Sequence, residues 1–187
     1  MASKDKTALI LVDAINSFFE PGHPNYYPGV ADVIPAMRAL LDAARASDRI
    51  VVHAAEKHRP DFADFEWKKL PVHHLEDAHD AAFFGEFRPA GPNETTVYKR
   101  RFSAFFATDL ALFLAEQKVT RVIIAGVKTN VCIRATAQDA FANGFEPIVA
   151  REATNSNRPH LAEASLEDID RYMGRVVSLE EAVGMLS

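Results

Sequence analysis

Ala8-Leu9-Ile10-Leu11-Val12-Asp13 is the stretch on which the reading of this chain turns. Apolar side chains follow one another without a polar interruption, and the run stops at an acid. A strand with one wet face alternates apolar and polar residues. One that is apolar throughout is buried on both faces, as in a parallel sheet covered by helices on either side. An aspartate where such a strand ends lies at the edge of the core, costly unless it is paired.

Outward from that strand the pattern repeats. A turn-rich loop runs from Glu20-Pro21-Gly22 to Pro28-Gly29, and Val33 to Ala46 then has helical spacing, with Ile34, Met37, Leu40 and Leu41 on one stripe. Ile50 to Ala54 reads as a strand, as do Thr95 to Tyr98, Arg121 to Ala125, Pro147 to Ala150 and Val176-Val177. Helices are expected over 108–117 with Thr108 as N-cap, over 131–143, over 161–172, and after Ser178 as cap through Met185. Strands alternating with helices predict a three-layer α/β domain with a mainly parallel, six-stranded sheet, spanning residues 1–187 as one unit. Glu56 to Asn93 breaks the rhythm with prolines and aromatics and holds at most one short helix, near Asp61 to Leu70. A long irregular excursion in a compact domain is usually functional, here a pocket wall or a subunit contact.

Bulk properties exclude several classes. The 187 residues are 48% hydrophobic and 25% charged, as in a soluble globular domain, and the net charge of -5 gives no attraction for nucleic acid or an anionic membrane. The single cysteine allows no intrachain disulfide, in keeping with a reducing compartment. The polar start, Met-Ala-Ser-Lys-Asp-Lys, precedes an apolar run too short for a signal peptide or a membrane span, so the expected location is cytoplasmic. No glycine-rich phosphate-binding motif occurs, which removes the nucleotide-binding alternative.

Three reactive side chains fall at strand ends: Asp13 after the first, Lys99 after the third, and Cys132 just past the fourth, where a helix begins. In an open parallel sheet ligands bind beyond the carboxyl ends of the strands, so these three are expected to meet in one crevice. A thiolate is the nucleophilic form of cysteine, and a helix N-terminus favours it. The turn Gly126 to Val131 can aim backbone amides at an oxyanion. Lys99 needs a carboxylate if buried, and Asp13 is the natural partner. A lone cysteine is most often a small core residue; its place beside Asp13 and Lys99 argues for chemistry.

The stretches Leu-Val-Asp-Ala-Ile-Asn-Ser-Phe around Asp13, Val-Tyr-Lys-Arg-Arg-Phe-Ser-Ala-Phe around Lys99 and Ala-Gly-Val-Lys-Thr-Asn-Val-Cys-Ile ending beside Cys132 together resemble the isochorismatase-like cysteine hydrolase family. The resemblance runs from Ala8 to Leu186. It implies a Cys132–Asp13–Lys99 triad, a cis peptide at Val127-Lys128, an oxyanion hole from the amides of Lys128 and Cys132, and a pocket lined by Phe18. Asn16, in the same stretch, is expected to bind substrate with it. Homo-oligomers are usual in the family, and a tetramer is expected. Members that cleave the vinyl ether of isochorismate typically lack the cysteine, so Cys132 speaks against that reaction. Nicotinamidase-like members carry a metal site on Asp-x-His after the second strand. Here Glu56-Lys57-His58 matches it in part, and the spacing of His73, His74 and His79 does not, so no metal and no other cofactor is expected.

Glu152 to His160 and Lys128 resemble the branch that includes biuret and triuret hydrolases. That makes a small planar ureide the leading substrate, with Lys128, Asn155 and Arg158 offering donors to its carbonyls. Nicotinamide-type, N-carbamoyl amino acid and ureidoacrylate-type amides are the alternatives. A scaffold of the same fold would need no intact triad, and a redox-sensing thiol would lack a resolving cysteine.

Overall fold

The computed structural model describes residues 6–187; the polar reading of Met1 to Asp5 lies outside it. The opening apolar run forms β1, Thr7–Val12, buried at every residue. Just past Asp13 comes a one-turn helix, α1 (Asn16–Phe19), also wholly buried. β1 pairs in parallel with β2 (Val51–Glu56) on one side and with β4 (Arg121–Val127) on the other. β3 (Glu94–Lys99) continues beyond β2, and β5 (Glu146–Asn155) and β6 (Arg175–Val177) continue beyond β4. The six strands run parallel in the order β3-β2-β1-β4-β5-β6, the expected fold class with no antiparallel member.

Because side chains alternate along a strand, β1 feeds two cores. Leu9 and Leu11 pack with Met37, Leu40 and Leu41 of α2 (Ile34–Ala46). Ala8, Ile10 and Val12 pack on the other face with residues of α3 (Leu110–Glu116), α4 (Arg134–Ala142) and α5 (Pro159–Tyr172). The last helix, α6 (Leu179–Leu186), joins the first core through Ala182 and Leu186. Its Ser178 makes the expected cap, in a full capping box with Glu181.

The expected Thr108 cap is corrected. Helix α3 starts at Leu110 with Asp109 in the cap position, and Thr108 Oγ1 donates to Ala104 O at 2.6 Å. The hydroxyl thus closes the turn before the helix, with the Leu110 amide a longer 3.4 Å away. Likewise the helix expected from Val131 is preceded by a π-helical turn, Thr129–Ile133, so α4 proper begins at Arg134.

β5 runs to Asn155, past the expected end at Ala150, and its pairing with β4 shifts register between Ile124 and Gly126. Gly126 has φ +120°, and a Cβ there would stand 2.0 Å from the Val12 carbonyl oxygen, so only glycine lets β4 pass β1 at this point.

The excursion after Glu56 contains three 3₁₀ turns, Phe65–Lys68, His79–Ala81 and Gly85–Phe87. The short helix expected near Asp61 to Leu70 shrinks to the first of these, capped by Asp64. Backbone bonds lash the segment to the strand ends: His58 N to His74 O at 2.8 Å, Asn16 N to Ala82 O at 2.9 Å and Phe84 N to Ala14 O at 2.9 Å. Among the described residues no helix is long and apolar enough to cross a membrane.

Candidate active site

The strand order reverses direction between β1 and β4, and the crevice above such a switch point is where an open α/β sheet binds ligands. Asp13 follows β1 with φ +53°, a left-handed backbone uncommon for a residue other than glycine. Its amide donates to Ala54 O at 2.8 Å, and its Oδ1 accepts from the Glu56 amide at 2.9 Å, so the end of β2 holds it in that conformation. Lys99, the last residue of β3, reaches across. Its Nζ lies 2.9 Å from Asp13 Oδ2, 3.6 Å from Cys132 Sγ and 4.0 Å from Glu56 Oε1. Asp13 and Lys99 are 0% exposed and Cys132 4%. The three residues singled out in the sequence are therefore in contact, and the thiol is also within hydrogen-bond reach of Asp13.

Electrostatics refine one expectation. The helix terminus was expected to favour the thiolate, but burial pushes the Cys132 thiol well above its ordinary value; Lys99 opposes this while Asp13 and Glu56 add to it. Lys99 shows the opposite balance. Burial disfavours its charge, yet the Asp13 carboxylate, Cys132 and Glu56 outweigh burial and keep the ammonium protonated.

The group opens onto a cavity of about 490 Å³. Phe18, Asn25, Glu56, His73, His74, Phe102, Lys128, Asn130 and Arg134 are among the residues that line it with Cys132. The Val127-Lys128 peptide is cis, as the resemblance implied. Lys128 O accepts from the amides of Val131 and Ile133, at 3.0 and 3.2 Å, which fixes the turn beneath the thiol.

The substrate-binding expectations divide. Phe18 and Lys128 line the cavity. Asn16 does not; its Nδ2 donates to His79 O at 2.9 Å and secures the excursion. Asn155 does not either: its Oδ1 accepts from Tyr27 Oη at 2.7 Å and its Nδ2 donates to Gly29 O at 2.7 Å. Arg158 is exposed at the head of α5, near enough for its charge to be felt at Lys128. The resemblance of Glu152 to His160 had placed both at the substrate, whereas the end of β5 carries Asn155 into a structural bond and the start of α5 leaves Arg158 exposed.

Sequence reading missed His74 as a cavity residue. It is buried at φ +46°, with Nδ1 2.9 Å from Glu56 Oε2 and Nε2 3.0 Å from Asn25 Nδ2. Its neighbour in sequence, His73, completes a second cluster. Glu56, His58, Glu66 and His73 are all buried, and one ligand atom from each lies within 4.8 Å of the others. The expectation that histidine spacing defines no ligand set is corrected in this respect: the excursion folds Glu66 and His73 back onto the end of β2. No hydrogen bond reaches Glu56 Oε1, His58 Nε2 or either carboxylate oxygen of Glu66. Burial, reinforced by Glu56, pushes the Glu66 carboxyl up to about 7. Two carboxylates and two imidazoles gathered at one point, with orphaned atoms on Glu56, His58 and Glu66, fit a divalent cation.

Known proteins resemble this chain over nearly its whole length. Residues 7–181 match the model of the isochorismatase domain. A maleamate amidohydrolase of Pseudomonas putida is 38% identical over 97% of this chain and 87% of its own length. An N-carbamoylsarcosine amidase of an Arthrobacter species is 32% identical over 97% of this chain and 72% of its own. A crystallised isochorismatase-like hydrolase from Alkaliphilus metalliredigens superposes with a TM-score of 0.86 at 28% identity, covering 100% of this chain and 99% of the other.

Proposed function

Because the chain belongs to the isochorismatase domain family, we propose that Cys132, Asp13 and Lys99 make it a cysteine-dependent amidohydrolase, cleaving the C–N bond of a small linear amide or ureide. The observation that carries this is the Lys99 ammonium set between Asp13 at 2.9 Å and the Cys132 sulfur at 3.6 Å, at the wall of a cavity that fits a small molecule.

Asp13 takes the thiol proton as Cys132 Sγ attacks the amide carbonyl. The oxyanion is held by the amides of Lys128 and Cys132, aimed before the reaction and so without reorganisation. Asp13 returns the proton to the leaving nitrogen, the C–N bond breaks, and ammonia or an amine departs from a thioester. Water, deprotonated by Asp13, then attacks the thioester. The acid is released and the thiol recovers the proton. Lys99 remains protonated throughout, orienting Asp13 and screening the negative charge that develops on sulfur. Two relatives are named for acting on maleamate and on N-carbamoylsarcosine, which supports amide cleavage in a small carbonyl compound. Biuret- and triuret-like ureides remain in the range on the strength of the resemblance around Lys128 and Glu152 to His160.

Glu56, His58, Glu66 and His73 would hold a divalent cation. Bound there, it would supply a fixed positive charge at the cavity wall able to polarise a water or a substrate heteroatom. We place the enzyme as a homo-oligomer, a tetramer by family resemblance.

The test is ammonia release from maleamate, N-carbamoylsarcosine, ureidoacrylate, biuret, triuret and nicotinamide by the protein and by Cys132→Ala. The expected result is turnover of at least one substrate, reduced by about a thousandfold or more in the variant. Mass spectrometry of acid-quenched enzyme should show the acyl adduct on Cys132. Full turnover by Cys132→Ala excludes the scheme.

A further inference from the structure

Among the described residues, Lys128 is the cavity cation that neither the triad nor an ion pair takes up. The other cavity cation apart from the triad's own lysine, Arg134, is paired: its Nη2 donates to Asp168 at 3.1 Å. Lys99 is held by Asp13 at 2.9 Å. The cavity's carboxylate, Glu56, is occupied by His74 at 2.9 Å and by His73 at 3.4 Å. Lys128 Nζ instead stands over two aromatic faces, 5.2 Å from the Tyr27 ring centroid and 5.7 Å from that of Phe18.

Those rings are fixed. Phe18 lies in the buried helix α1, and Tyr27 is tied through its hydroxyl to Asn155. Among the described residues no carboxylate forms an ion pair with Lys128, and Arg158 is near enough for its charge to oppose that of Lys128. A half-buried ammonium held by π-faces has lost part of its water without gaining a counter-charge. Burial accordingly lowers its proton affinity. What such a group gains most from is an anion, and a neutral carbonyl dipole offers it less.

We infer that Lys128 is a specificity-determining residue that pairs with a carboxylate on the substrate, so that the enzyme selects amides of small acids over neutral amides and ureides. This rests on the amidohydrolase reading above and narrows it. Lys128 lines the same cavity as Cys132, so the anion it holds and the carbonyl under attack belong to one small molecule. Arg158, exposed nearby, adds to the positive field around Lys128. Asn155 acts at one remove, as the residue that positions the Tyr27 ring under the ammonium.

The experiment compares matched substrates: maleamate against maleamide, and N-carbamoylglycine against N-carbamoylglycinamide. Each is measured with the protein, Lys128→Met and Lys128→Arg. Lys128 also contributes a backbone amide to the proposed oxyanion hole, so the readout is a ratio, kcat/KM for the anionic substrate over kcat/KM for its neutral partner. Any disturbance of the turn affects both members of a pair and cancels. The expected ratio falls ~30-fold in Lys128→Met, chiefly through KM, and recovers to within ~3-fold of the parent in Lys128→Arg. A ratio that does not move in Lys128→Met, or a parent enzyme that prefers the neutral partner, overturns the inference. Calorimetric binding of maleate, the acid product, gives a second readout independent of turnover. Binding weakened ~30-fold by Lys128→Met supports the subsite; equal binding by both proteins, or none by the parent, rejects it. If no amide is turned over while maleate still needs Lys128, the amidohydrolase reading falls and the anion subsite stands.

Discussion

Cys132 sits between opposed influences, and their sum sets how the resting enzyme behaves. Burial, with Asp13 and Glu56 behind it, holds the thiol protonated, while Lys99 works the other way. The group therefore binds a proton at neutral pH and loses it only well above its ordinary value. Alkylation by iodoacetamide should be slow at pH 7 and rise about tenfold per pH unit into the alkaline range, because only the thiolate reacts. Removing the ammonium in Lys99→Met takes away the stabilising charge, so the rise should move to still higher pH. Stopped-flow alkylation between pH 6 and 10 measures both. Fast alkylation at pH 7, or a Lys99→Met profile shifted to lower pH, would mean that the thiolate is the resting form, and Asp13 would lose its part as the base for attack.

At the scale of elements, the segment between β2 and β3 does more than connect them. It carries His73 and His74 to the cavity and Glu66 to the end of β2, where Glu56 and His58 wait. A divalent cation there would join sheet and excursion, which hydrogen bonds and the arginines Arg100 and Arg101 on Asp64 already pull together. Ligand binding to the folded state raises stability by about 2.7 kcal/mol at a hundred times Kd. Zinc or manganese should therefore raise the melting temperature of chelator-treated protein by ~5 °C or more, with no gain in His58→Ala. An unchanged melting curve and no binding heat would leave the cluster as a metal-free ion network. The same segment marks where sequence reading stopped. Strands and helices such as β1, α2 and α6 were legible because each states its burial in the period of its apolar residues or in a cap. So were Asp13, Lys99 and Cys132, because the end of a parallel strand is a place that sequence order can predict. Glu66 and His73 were not, since the six residues between them follow no period and only the path of that chain makes them neighbours. Asn155 was misplaced for a related reason: β5 runs on past Ala150, and its register turns that side chain to Tyr27.

For the molecule as a whole, the distribution of apolar surface bears on assembly. Phe62, Phe65 and Val72 on the excursion are 67%, 69% and 58% exposed, and Phe106 after β3 is 57% exposed. Single exposed hydrophobes are ordinary, but large apolar side chains drawn from the two segments that frame the cavity are costly to leave in water. Each such side chain covered by a second copy would contribute ~1.5–3 kcal/mol, enough for a few of them to offset the entropy of association. The proposed tetramer would bury this surface. Sedimentation equilibrium at micromolar concentration should give a mass near four times the 20.7 kDa chain. The double substitution Phe62→Asp, Phe65→Asp, which adds charge where the interface would close, should shift the population to smaller species. Because the excursion also forms the cavity wall, the same variant should raise KM for the best substrate more than it lowers kcat. A parent that sediments as a monomer removes the tetramer. A parent tetramer untouched by the double substitution moves the interface to another face and leaves the excursion with the cavity alone.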